Sequence, residues 1–291
     1  MMHKIKYDSW AERIFTIVNG VLLSGIVLFT LYPLYYVLIA SISEGSQIIQ
    51  GNVVFWPKGF TLEAYKSIPE IGYFWSSYGN TLFITFFGAL ASLVVMSMGA
   101  YALSRKRLKG RRFLGIFISF TLWFNAGMIP VYMNMDDLNL MDSRTGIIIG
   151  FLCNAFYIII MRTYFEGLPI ELEESGKLDG LSNFRIFLQI MLPLSKPMLA
   201  TIALYCIVDR WNSYLWSMIL LQDPKKVPLQ VLLKKLIIEN KVLAEVGSGG
   251  ANTTETLIYA VIVVSIIPVI VVYPFVQKFF VKGLTIGAVK G

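Results

Sequence analysis

Histidine and cysteine are nearly absent: the 291 residues hold one His and two Cys. His3 stands at the terminus, so no His-based triad can be assembled. Cys153 and Cys206 both fall inside apolar runs, without CxxC or Cys/His spacing. They read as buried free thiols, with little support for a metal site or a disulfide framework. Charge is scarce as well. Asp, Glu, Lys and Arg make up 15% of the chain, against about a quarter in a soluble domain. Also missing is any G-x-x-x-x-G-K-[ST] stretch, so the chain has no loop of its own to cradle nucleotide phosphates.

Apolar residues take up that space, at 56% of the chain with a mean hydropathy of +0.66. A membrane-spanning helix needs ~20 largely apolar residues. Six segments offer such runs, at about 17–40, 81–103, 113–133, 145–161, 199–221 and 257–276. Pro33, Pro130 and Pro268 interrupt them, which membrane helices tolerate where neighbours re-satisfy the freed backbone groups. The first run follows Lys4 and Lys6 like a secretion signal, yet its apolar core is too long for a signal h-region of roughly 7–15 residues. The expected fold class is therefore all-α: one polytopic membrane domain over 1–291, with six transmembrane helices and a helical cytoplasmic loop.

The net charge of +7 fits basic loops held against a membrane rather than nucleic-acid binding. With the N-terminus placed inside, Lys and Arg favour the inside segments by about two to one, so both termini are expected in the cytoplasm. The run Arg105-Lys106-Arg107-Leu108-Lys109-Gly110-Arg111-Arg112 is the strongest pin, and it reads as a topology signal. Three outside loops follow, at 41–80, 134–144 and 222–256. The short one carries Asp136, Asp137 and Asp142, and Gly247-Ser248-Gly249-Gly250 marks a flexible tip in the last.

The most informative stretch is the inside loop at about 166–197. Pro169 suits the first turn of a helix, and Glu171, Glu173 and Glu174 favour its positive end. Asp179-Gly180 signals a turn. Ser182 can cap a second helix carrying Phe184, Phe187, Leu188 and Met191, which Pro193 and Pro197 separate from the next span. The residues alone leave two readings open: an ordinary amphipathic linker, or a docking element with an acidic edge.

Glu174-Ser175-Gly176, then Gly180, then Ile190-x-Leu192-Pro193 resembles the EAA loop of ABC importer permeases, and every spacing matches. Ser175 and Gly176 stand where the family has two alanines, while Asp179-Gly180 matches the usual DG. The likeness extends over nearly the whole chain, through Trp56-Pro57-Lys58-Gly59, Gly127-Met128-Ile129-Pro130, Trp211-Asn212 and Tyr273-Pro274-Phe275. It is closest to permeases of the maltose-system type, especially the branch handling complex or acidic oligosaccharides. This resemblance implies a bacterial cytoplasmic-membrane subunit that pairs with a second permease, two copies of a cytoplasmic ATPase and an extracellular or periplasmic sugar-binding protein. It implies no catalysis, metal or cofactor on this chain, with ATP and Mg on the ATPase. Glu174, Ser175, Gly176, Asp179, Gly180, Ile190, Leu192 and Pro193 would form the ATPase-coupling loop. The tail at 278–291 would reach toward the ATPase, and loop 222–256 toward the binding protein.

Asp209-Arg210 lies within the fifth apolar run. An ionisable group at that depth costs ~2.5–3.5 kcal/mol on insertion scales and usually faces a cavity or a partner. On a continuous helix, Tyr205, Asp209, Asn212, Ser213 and Trp216 would share a face suited to a sugar. A structural ion pair explains the same residues equally well. A stand-alone secondary transporter or channel is the alternative function, but it shows no convincing internal repeat here. A membrane enzyme lacks a His/Asp/Glu cluster on any face.

Overall fold

The computed structural model describes residues 10–245, 255–271 and 274. His3, Lys4, Lys6, the Gly247–Gly250 tip, Tyr273, Phe275 and the 278–291 tail lie outside them. Among the described residues every regular element is helical.

Trp10–Ala40 and Phe74–Ser104, of 31 residues each, are long and apolar enough to cross a membrane. Two further stretches reach that standard only as bent pairs. Arg144–Gly150 with Ala155–Glu166 turns by 52°, and Asn183–Leu194 with Lys196–Asn212 by 84°. Glu255–Val271 is a shorter apolar helix. The described residues therefore hold two to four clear spans.

Local chemistry accounts for the interruptions. The run read as 113–133 forms Arg111–Trp123 and Met128–Asp137. Between them Gly127 takes a left-handed φ of +86°, which favours glycine. Pro130 then falls in the first turn of the new helix, where its missing N–H is not needed. The run read as 145–161 breaks at residues 151–154. There the Asn154 side chain accepts a hydrogen bond from Phe156 N at 2.9 Å and caps Ala155–Glu166. The run read as 199–221 breaks at Ser213, where extended backbone ends Lys196–Asn212 before Leu215–Leu220. Pro193 and Pro197 do not leave a gap before the next helix. They flank a sharp bend at Ser195, whose hydroxyl and amide both bond Met191 O, at 2.8 and 3.1 Å.

The chain divides into two compact units. One holds the described residues up to Glu70 and those of 236–265. Its Trp10–Ala40 helix is apolar and exposed until Ile39 and Ala40, as expected of a helix that faces lipid or another membrane chain. Ile39, Ala40, Ile48 and Val53 form a small core, against which Tyr36 and Tyr259 meet edge to face at 5.8 Å.

The other unit holds residues 71–235 and the described residues from Ile266. Phe74–Ser104 is its spine, packed on Lys196–Asn212 and Ala155–Glu166. At the start of this helix, Asn80 Nδ2 donates to Lys225 O and Val227 O, and Leu229 N donates to Thr81 Oγ1. Nearby, Lys226 Nζ donates to Asp142 Oδ2 at 2.6 Å, while Asp142 Oδ1 accepts the amides of Gln222 and Asp223. Two loops assigned to the same side of the membrane are thus tied together.

The hydrogen bond from Lys226 is the main reason that the Asp142 carboxyl ionises below its ordinary range, aided by the two amides. A carboxylate with a depressed folded pKa stabilises above its unfolded pKa, ~3.9, and that stabilisation is lost as pH falls through the folded value. We expect Asp142→Asn to lower the melting temperature at neutral pH. The gap to wild type should close below about pH 4, measured by thermal unfolding of the purified transporter across pH.

Candidate functional site

Glu171–Leu178 is the first helix of the inside loop. Its end is built by backbone hydrogen bonds: Leu181 N donates to Gly176 O at 2.9 Å and Gly180 N to Lys177 O at 3.0 Å. This paired pattern closes a helix around a left-handed residue, and Gly180 supplies it with φ +77°. Ser182 then caps the next helix by accepting from Arg185 N.

The two faces of Glu171–Leu178 differ. Glu174, Ser175, Leu178, Asp179 and Gly180 are exposed, while Glu173 and Gly176 are buried. A Cβ on Gly176 would stand 2.9 Å from Ile190 Cδ1 and 3.1 Å from Ile186 Cγ1. Small size is needed at Gly176 and not at Ser175. Ile190 is the half-buried partner of that contact, Leu192 packs at the core's edge, and Pro193 is exposed.

Sequence reasoning took Glu173 only as an acidic residue of the helix start, yet its side chain is only 3% exposed. Its carboxylate pairs with Arg105 at 2.8 Å, with Arg107, and with Lys177 at 2.9 Å. Arg105 also donates to Phe165 O and lies over the Tyr101 ring. Burial pushes the Glu173 pKa upward, but the hydrogen bonds from Lys177 and Arg105 and the charge of Arg107 outweigh it and hold it low. The basic run at 105–112 therefore does more than mark a membrane side: Arg105 and Arg107 bind Glu173, and Arg111 binds Glu166. The signal was present in the helix period, which puts Glu173, Gly176 and Lys177 on the face opposite Leu178.

A second feature is a cavity of about 250 Å³ at the break between Arg144–Gly150 and Ala155–Glu166. Asp209, Ser213 and Trp216 line it together with Phe151, Asn154 and Tyr157. Tyr157 OH donates to Asp209 Oδ2 at 2.6 Å, and Trp216 packs on Phe151 at 5.4 Å. Three of the five residues expected on one face meet here, although the break at Ser213 puts Trp216 on the next helix. Tyr205 stacks on Tyr157 at 5.7 Å from outside the lining, and Asn212 is exposed and does not line the cavity. Tyr157 was missed because it lies on a different segment.

Asp209 and Arg210 do not pair. Arg210, which also lines the cavity, donates instead to Ile147 O, Ile148 O, Phe151 O and Ser92 Oγ. These carbonyls belong to the last turn of Arg144–Gly150 and the break after it, which lack helical partners. Gly88 makes room for the guanidinium, since a Cβ there would meet Arg210 Nε at 3.3 Å.

Residues 73–286 match the family described as binding-protein-dependent transport system inner membrane component. The chain is 37% identical to Protein LplC of Bacillus subtilis (strain 168), covering 100% of this chain and 98% of that protein. It is 38% identical to the polygalacturonan/rhamnogalacturonan transport system permease protein YtcP of the same strain, covering 96% and 99%. Its structure is similar to a chain in the crystal structure of a bacterial ABC transporter involved in the import of the acidic polysaccharide alginate. The TM-score is 0.87 at 48% identity, covering 94% of this chain and 99% of that one.

Removing the Glu173 charge leaves Arg105 buried without its carboxylate, a change that destabilises by about 3–5 kcal/mol. Glu173→Gln should lower the melting temperature of the purified transporter markedly, whereas Glu174→Gln, on the exposed face, should leave it within a degree or two of wild type.

Proposed function

The chain belongs to the family of binding-protein-dependent transport system inner membrane components, as a permease subunit of an ABC importer, and from that premise we propose that it forms, with a second permease subunit, the inward path of an oligosaccharide. It is a transport component of the membrane, not an enzyme in its own right. Two copies of a cytoplasmic ATPase carry ATP and Mg, and an extracellular or periplasmic binding protein delivers the sugar. No cofactor is assigned to this chain. The bilayer is crossed six times with both termini inside, which agrees with the basic-residue bias and with Asp142 meeting Lys226 on one side while Arg105 meets Glu173 on the other.

The observation that carries the coupling assignment is the two-faced helix Glu171–Leu178. Its inner face is fastened by Glu173 and Gly176, and its outer face offers Glu174, Ser175, Asp179 and Gly180. A lever needs one face bonded to the moving body and another free to seat in a partner. An ordinary linker needs neither a buried ion cluster nor a fixed turn. Ile190 supports the lever from behind through its contact with Gly176, and Leu192 and Pro193 lead on from it to the bend at Ser195. Gly180→Val places a β-branched residue at φ +77°, at a strain of roughly 1–2 kcal/mol. Glu174→Lys reverses a charge on the outer face. Both variants should insert and pair with the second permease yet lose sugar uptake. The check is copurification of the ATPase together with ATP hydrolysis stimulated by the binding protein; wild-type values for both would overturn the assignment.

The cavity supplies the substrate path. A sugar presents hydroxyl donors and a C–H face. Asp209 can accept the first, and the Trp216–Phe151 pair can stack on the second. Relatives named for polygalacturonan, rhamnogalacturonan and alginate favour a fragment of an acidic polysaccharide. Asp209→Asn, Tyr157→Phe and Trp216→Ala should each cut uptake at least several-fold while assembly and basal ATP hydrolysis persist. Normal uptake by all three, in a whole-cell assay with labelled oligosaccharide, would assign the cavity to packing alone.

A further inference from the structure

A larger cavity, of about 410 Å³, opens where Phe74–Ser104 ends. It is separate from the Asp209 cavity and from the exposed face of Glu171–Leu178. We propose that it binds one anionic phospholipid, with the phosphate at its basic end and an acyl chain along its apolar wall.

Three observations carry this. The wall is apolar: Met98, Tyr101, Phe184 and Phe187 line it, and Met98 and Phe184 are themselves 44% and 56% exposed. Phe184 was expected to lie on an amphipathic face, and no packing contact explains why that face is turned outward. The far end is basic: Arg105, Arg107 and Lys109 all line the cavity. The carboxylate that faces Arg105 and Arg107 is Glu173, which it also shares with Lys177. Positive charge is therefore in surplus, and Lys109 makes no ion pair among the described residues. Third, the Tyr101 hydroxyl is a buried polar group with no hydrogen-bond partner, on a side chain only 7% exposed. Arg107 approaches the Tyr101 hydroxyl closely enough to interact with it, but in a geometry that falls short of a full hydrogen bond. A buried donor of this kind is normally paired.

An anionic phospholipid meets all three conditions together. Its phosphate oxygens accept from Tyr101, Arg107 and Lys109, with Asn183 beside them at the rim. Its acyl chain covers Phe184 and Met98. The place also fits, because basic pockets between membrane helices on the cytoplasmic side recognise lipid headgroups. Tyr101 packs on Phe187 at 5.1 Å, so an occupant here touches the core that holds the coupling loop. The bound lipid would thereby steady the joint between the membrane helix and the loop.

The test uses the complete transporter in nanodiscs of phosphatidylcholine with added phosphatidylglycerol, equal in both leaflets. The outcome then does not depend on the orientation and coupling roles proposed for this chain, and those can fail separately. Native mass spectrometry counts the phosphatidylglycerol molecules retained. One more should stay on wild type than on the double variant Lys109→Gln, Tyr101→Phe. Lys109→Gln alone should weaken retention about fivefold, the effect of one basic residue near a membrane surface. Arg112→Gln removes a charge from the same run outside the cavity and should change little. Equal loss for Arg112→Gln and Lys109→Gln would reduce the effect to diffuse attraction and overturn the site. Unchanged retention by the double variant would also overturn it, as expected if a protein partner covers the cavity. Displacement of the lipid by millimolar inorganic phosphate would overturn it in favour of a free anion.

Discussion

The Glu173 carboxylate joins two parts of the protein that obey different solvents. Phe74–Ser104 is shaped by lipid, and Glu171–Leu178 by water. Arg105 stands one residue past the end of the first, and Glu173 faces inward from the second. A buried ion pair is not in itself a strong source of stability, because desolvation offsets most of its attraction. What it fixes is position. Two further cations, a backbone carbonyl and an aromatic ring surround the pair, so few other placements of the loop satisfy every group. The loop can move only if the membrane helix moves with it.

A second constraint acts deeper in the membrane, where every backbone polar group needs an internal partner. The chain breaks a helix at residues 151–154 and leaves carbonyls without helical bonds. Arg210 answers with its guanidinium, which explains how an arginine can sit where a charge is expensive. Once those carbonyls are satisfied, the break opens a cavity instead of collapsing. Asp209 and Arg210 both line it. Adjacent residues of opposite charge thus keep different partners at one cavity, Arg210 the backbone carbonyls of the break and Asp209 the Tyr157 hydroxyl.

The sequence carried the class and the loop clearly. Apolar runs located helices but not their breaks, and the order Glu174, Gly180, Ile190, Leu192, Pro193 marked by its spacing the loop for which a coupling role is proposed. Gly180 at a left-handed turn and Ser182 as a cap were both legible, because each is a local backbone requirement. What was not legible depends on contacts between segments. Tyr157 meets Asp209 across 52 positions, and Arg105 meets Glu173 across 68. Helix continuity was also hard to read. An apolar run looks the same whether it is one helix or two, and only Gly127, Asn154 and Ser213 mark the breaks. Asn212 and Tyr205 were grouped with Asp209 by helix period alone, and the period does not say which of them meets the cavity at the 151–154 break.

These parts combine through a single core. Met96, Tyr101, Phe165, Ile186, Phe187, Met191 and Cys206 belong to one buried cluster, which draws on membrane helices and coupling loop alike. Protein cores are packed as densely as molecular crystals and shift as bodies rather than flow. Phe74–Ser104 passes through this cluster with Ser92 and Met96 on the Asp209 cavity and Arg105 on the loop. Ser92 and Arg105 are about 20 Å apart along the helix, at 1.5 Å per residue. On the coupling role proposed above, displacement of the loop by a partner would reach the cavity lining through this helix as a rigid rod. The same logic runs in reverse. A ligand that alters how Ser92 and Met96 pack shifts the favoured position of Arg105, and with it the face that Glu171–Leu178 presents. Coupling of this kind is reciprocal by thermodynamic necessity, so on the proposed roles a loop that opens the path is also set by an occupied path.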